Sequence, residues 1–190
     1  MIPPSFAACL VVAGMLGACD GQPRVSIAAD TIPTPITSPD LSDANIVALL
    51  DHANEADSSA GELASRKATD AEVKKLARMM MADHHRLRKQ GADLARKLGV
   101  TAQAPADDPI TPLAQREMAV LEATEKGLDF DRTYIRHEIA SHELVLDIAD
   151  EAHEAAGNAE LKALIEQARA LIESHLEQAQ QIQNDLGESA

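Results

Sequence analysis

FDRTYIRHEIASHELVLDIADEAHEAAG, residues 130–157, reads as one long amphipathic helix with a histidine at the centre of its apolar face. On a wheel of about 100° per residue, Ile135, Ile139, Val145, Leu146 and Ala149 fall within roughly 60° of His142. Glu138 lies one turn earlier on the same side. An imidazole and a carboxylate on a core-facing stripe need partners, because burying an unmet polar group is costly. Two other segments repeat the pattern. Val73, Ala77, Met80, Met81, Leu87, Ala95 and Leu98 surround the direction of His84, and Leu161, Leu164, Ala168, Leu171, Ile172, Ala179 and Ile182 surround that of His175.

Composition agrees with close-packed helices. Of the 190 residues, 45% are hydrophobic but only 2% aromatic, and there is no tryptophan. Ala and Leu favour helices, whereas sheets draw on β-branched and aromatic side chains. The formal charge of −14, from 31 acidic and 17 basic residues, argues against a nucleic-acid partner, which requires a dense basic patch.

The N-terminal residues carry a different signal. Residues 6–16 form an apolar run too short to span a bilayer, followed by Leu16-Gly17-Ala18-Cys19, which resembles a bacterial lipobox. Residues 1–18 then read as a signal peptide and Cys19 as the lipidated N-terminus of an exported protein, anchored to the membrane by lipid and facing the periplasm. Residues 1–18 hold no Lys or Arg, although export signals usually begin with a basic segment; a plain secretory signal and an uncleaved anchor are the alternatives. Residues 19–41, with TIPTPITSP, read as a disordered tether.

From residue 42 to 187 the pattern predicts a helical domain. Ser42 caps a first helix to Lys67. Thr69-x-x-Glu72 has the form of a capping box for a second helix that ends at Leu98 before Gly99. Residues 101–112 read as a loop, 112–127 as a short helix with Pro112 in its first turn, and Asn158 caps a last helix to about Leu186. Two antiparallel hairpins joined by a long crossover with its own short helix point to an all-α, ferritin-like four-helix bundle.

The three helix midpoints place His84, His142 and His175 within ~5 Å of one level. The first helix brings Asp57 toward that level. Three imidazoles with Asp57 and Glu138 make a donor set for a transition metal: Zn, Fe, Mn or Cu, in preference to Ca or Mg. The alternative is a structural or interaction lipoprotein whose histidines form a metal-free network with carboxylates. Met80 and Met81, within a turn of His84, could interest copper but are more simply core filler. His52 and His137 fall off the apolar centres and read as solvated, His85 as exposed or at a helix boundary, and His153 and Asp131 as outer groups or caps. Asp83 is placed to orient a histidine on another helix. Tyr134 is placed to reach a carboxylate. Residues 81, 139 and 172, three before each histidine, are Met, Ile and Ile, so the Glu-x-x-His motif of di-iron proteins is missing and oxygen-activating enzyme chemistry is not expected.

Asp83-His84 after an apolar helical run, Phe130-Asp131-x-x-Tyr134, His142 and His175 together resemble the bacterial secreted proteins grouped as domain of unknown function 4142. The likeness covers residues 42–186. It implies a ferritin-like fold in an exported protein and no established activity.

Overall fold

The computed structural model describes residues 41–187, all helix and connection. The leader, Cys19 and residues 19–40 lie outside the described residues. Leu41, assigned to the tether, is instead buried against the core.

Five helices follow in order: α1 (Asp43–Lys67), α2 (Ala71–Leu98), α3 (Ile110–Ala123), α4 (Leu128–Ala155) and α5 (Ala159–Asp185). Local chemistry sets most of their ends. Ser42 and Asn45 exchange side-chain and backbone hydrogen bonds in a capping box at α1. Asn158 accepts from the amides of Glu160 and Leu161 at α5. Gly99, at φ 67°, closes α2 in the left-handed conformation that a residue with a Cβ adopts only with strain.

Two ends differ from the sequence reading. The N-cap of α2 is Asp70, which accepts from Glu72 and Val73 amides, not Thr69. Thr69 is drawn elsewhere: its amide, its hydroxyl and the amide of Asp70 all donate to the buried carboxylate of Asp131 on α4. One acid thus fixes the α1–α2 turn against the start of α4. The short helix begins two residues before Pro112, because Asp108 accepts from the Ile110 and Thr111 amides and satisfies its first donors there.

Helices α1 and α2 pack along each other, as do α4 and α5; α3 lies against α1 and α4. The buried apolar residues fall into two main groups. One contains Ile46, Leu49, Ile110, Leu144, Ile148, Leu161 and Ile165; the other contains Ala64, Val73, Met80, Leu121, Phe130, Ile135 and Ile182. Cluster membership gives the directions. α1 and α5 run from the first group toward the second, α2 and α4 run back, and α3 returns the chain between α2 and α4.

Between the groups, along every long helix, lie all the buried polar residues but Asp131: Asn54 and Asp57 on α1, His84 on α2, Glu138, Ser141 and His142 on α4, and His175 on α5. The core is therefore two apolar blocks separated by a polar layer.

The α1–α2 contact depends on a small residue at its closest point. A Cβ at Gly61 would stand 2.7 Å from the Ala77 carbonyl oxygen and 3.0 Å from the Met81 amide nitrogen, both backbone atoms with little room to shift. Gly61→Ala should therefore destabilise the protein by about 1–3 kcal/mol despite its gain in helix propensity. A urea-unfolding midpoint at or above the wild-type value would contradict this packing.

Candidate metal centre

Each of the three histidines is 1% exposed. Their ring centroids form a nearly equilateral triangle: 5.4 Å between His84 and His142, 5.2 Å between His84 and His175, and 5.5 Å between His142 and His175. One ring nitrogen from each lies within 4.8 Å of the other two.

The hydrogen bonds select which nitrogens face inward. Asn54 donates its amide nitrogen to the Leu50 carbonyl, which turns its oxygen toward His84 Nδ1 at 3.0 Å. That nitrogen carries the proton, and His84 Nε2, buried and without a hydrogen-bond partner, keeps a lone pair. His175 Nε2 donates to Asp83 Oδ2 at 3.2 Å, which leaves the lone pair on Nδ1, facing inward. His142 Nε2 is 3.4 Å from that same Nδ1. Two imidazole nitrogens sharing one tetrahedral ion at about 2.0–2.1 Å stand about 3.4 Å apart, so the spacing fits a common metal. The orphaned nitrogen, the preset tautomers and the outer acceptors are the features expected of imidazoles oriented by a second layer of hydrogen bonds.

The carboxylates sit to one side of the triangle. Asp57 Oδ2 is 3.5 Å from His84 Nδ1, and its Oδ1 accepts from Ser141 Oγ at 3.2 Å. Glu138 Oε2 is 3.6 Å from His142 Nδ1, the outward nitrogen. Asp57, Glu138 and His142 form a second close group. The single five-residue cluster expected from the sequence is thus two groups that share His142. Tyr134 stands beside Glu138 as anticipated, fully buried, although its hydroxyl closes no well-aligned hydrogen bond.

Electrostatics follow from burial. Burial pushes the His142 imidazole down to about 4, and burial followed by the neighbouring His84 lowers His175. Both rings are therefore held neutral, the form that binds metal. Burial, then the charge of Asp57, drive the Glu138 carboxyl up to about 8. Burial also works against ionised Asp57, but the imidazoles of His84, His142 and His137 outweigh it and hold that carboxyl below its ordinary range.

His137 is not solvated. α3 covers it, and its Nδ1 lies 2.7 Å from Glu117 Oε2 on that helix. Although burial disfavours its charge, the Glu117 contact and the charges of Glu138 and Asp57 raise it to about 9. His52 is likewise partnered, by Asp108 at 2.8 Å. His85 is exposed, and His153 pairs with Glu166 at 3.1 Å across α4 and α5. Asn54, Ser141 and Glu117 were missed from the sequence. Asn54 was the readable one, three residues before Asp57 on the same helix face.

The larger surface grooves, of about 410 and 490 Å³, are lined by none of the three histidines, so the triad is a closed interior site.

The model of the family described as domain of unknown function (DUF4142) matches residues 29–182. The chain belongs to that family. Two solved structures resemble this DUF4142 protein in fold. CopM in the Ag-bound form, obtained by co-crystallisation, is 20% identical with a TM-score of 0.61, over 77% of this chain and 98% of that one. CopM in the Cu(II)-bound form is 18% identical with a TM-score of 0.62, over 76% and 97%. No curated protein matches the sequence.

The titrations give a signed expectation for the metal-free protein. Glu138 and His137 both bind their protons more tightly folded than unfolded. Their contributions to stability are present at low pH and lost as pH rises, between about 4.5 and 8 for Glu138 and about 6.5 and 9 for His137. His142, lowered to about 4, acts oppositely but only below its unfolded value of 6.5. Above pH 6.5 the loss is unopposed by His142, with a limiting slope of about 1.4 kcal/mol per pH unit per group. Stability of metal-free wild type should fall from pH 6.5 to 9, and Glu138→Gln should flatten the curve; parallel curves would contradict the burial of an ionisable Glu138.

Proposed function

We propose that this protein binds a monovalent or divalent transition metal inside its helical bundle through His84 Nε2, His142 Nε2 and His175 Nδ1. The observation that carries the reading is the convergence of three buried imidazoles whose outer groups leave free nitrogens pointing at one another. Copper and silver are the chemistry best supported. Imidazole is a good copper donor, copper stands highest in the divalent affinity order, and CopM, similar in fold, has Ag-bound and Cu(II)-bound forms. Zinc fits the same donors; iron fits less well without the Glu-x-x-His pairs.

The bundle arrangement belongs to this proposal: two antiparallel hairpins with α3 in the crossover form a ferritin-like four-helix bundle around the ion. So does the setting. Cys19 follows a lipobox-like run, and a lipid there would tether the domain to the envelope, facing the periplasm. The role is to sequester or carry metal: among the described residues, neither of the larger grooves reaches the three histidines. No described helix is long and apolar enough to cross a membrane.

Titration with Ag⁺ of protein purified without a histidine tag tests the reading. Wild type should take up one ion per chain in the core and gain thermal stability from it. His84→Leu should fold and lose at least a hundredfold in affinity. Equal binding by both proteins, or a wild type that gains no stability, favours the metal-free His–carboxylate network instead.

A further inference from the structure

The group formed by Asp57, Glu138 and the outward face of His142 remains unexplained by a single ion on the triad. Both oxygens of Glu138 are fully buried and accept no hydrogen bond. Its polar neighbours are the Tyr134 hydroxyl and His142 Nδ1, 3.6 Å from Oε2, and neither closes a well-aligned hydrogen bond to it. The Tyr134 hydroxyl next to it is buried with equally little engagement. His137, next in sequence, is engaged by Glu117 at 2.7 Å. Buried polar groups in native cores are nearly always well satisfied, so a carboxyl and a phenol engaged this loosely leave room for a ligand.

That ligand cannot be the ion on the triad. The two nitrogens of an imidazole point to opposite sides of the ring, and His142 turns Nε2 to His175 and Nδ1 toward Glu138. Oxygens near Nδ1 therefore face a different point in space. Asp57 reaches the same place, with its carboxylate between His84, Ser141 and the Glu138 side.

We infer that Asp57, Glu138 and His142 Nδ1 form a second cation position, next to the histidine triad and bridged to it by the His142 ring. Its donors are two carboxylates and one nitrogen, with Tyr134 at the edge. That harder set selects a divalent ion such as Zn²⁺ or Mn²⁺ over a soft monovalent one. Filling both positions makes His142 a bridging imidazolate, and the proton it gives up goes to solvent. The divalent charge offsets Asp57 and Glu138 together. The inference rests on the triad reading only through the shared ring of His142.

Zn²⁺ alone, titrated into metal-free protein and counted by native mass spectrometry, tests it. Wild type should bind two ions. Glu138→Gln should bind one, and Asp57→Asn, a second route to the same loss, should also bind one. His175→Leu, which touches only the triad, should likewise bind one, and Glu138→Gln should keep its single Ag⁺. A wild type holding one Zn²⁺ that His175→Leu abolishes and Glu138→Gln preserves overturns the second position and leaves the triad standing. One Zn²⁺ lost in both variants means a single merged site and also overturns it. No Zn²⁺ in wild type overturns it as well, while Ag⁺ uptake still judges the triad separately.

Discussion

Burying three imidazoles at one height is the constraint around which this bundle is arranged. Each ring must find an acceptor for its N–H and something for its lone pair, in a medium that gives neither freely. The N–H groups are met by Asn54 for His84 and Asp83 for His175. Of the inward nitrogens, His84 Nε2 has no partner, and His142 Nε2 and His175 Nδ1 face one another at 3.4 Å. This fixes the helix registers: sliding any of the four long helices by one turn would break an acceptor contact and push a polar group into an apolar block. The two apolar clusters on either side supply the hydrophobic stabilisation that the polar layer withholds.

Small residues make the layer reachable. Gly61 and the alanines at 60, 64 and 77 bring α1 and α2 close enough for Asn54 and Asp57 on one helix to address His84 on the other. Asp131 then ties the turn between those helices to α4, which carries His142, with three donors on one carboxylate. α3 adds a cover on the α1–α4 side, and through Glu117 and His137 extends the buried charge outward from the layer. A cation in the centre would therefore be felt in α1, α2, α4 and α5 at once, which is the physical basis for stabilisation by metal.

Much of this was legible in the sequence, for reasons that can be named. Helical periodicity put His84, His142 and His175 on apolar faces, and equal helix lengths put them at one depth. Both inferences need only the rise and twist of a helix. Asp83 was readable as an orienting group by its place beside the seam, and Ser42, Gly99 and Asn158 as caps by residue type. What failed were features that depend on a distant partner. Thr69 fits a capping box locally, yet the buried Asp131, 62 residues away, takes its hydroxyl and leaves the cap to Asp70. His137 looked solvated because a wheel drawn for four helices has no place for α3. For Asp57 and Glu138, periodicity gives direction and height, but not which ring nitrogen an oxygen faces.

The central claim is that one ion can sit among His84, His142 and His175, and anomalous diffraction from Ag⁺-loaded crystals measures that position directly. The account predicts one dominant peak inside the bundle, about 2.0–2.4 Å from His84 Nε2, His142 Nε2 and His175 Nδ1. Peaks confined to exposed side chains such as His85 or His153, with the three rings unchanged, would contradict it.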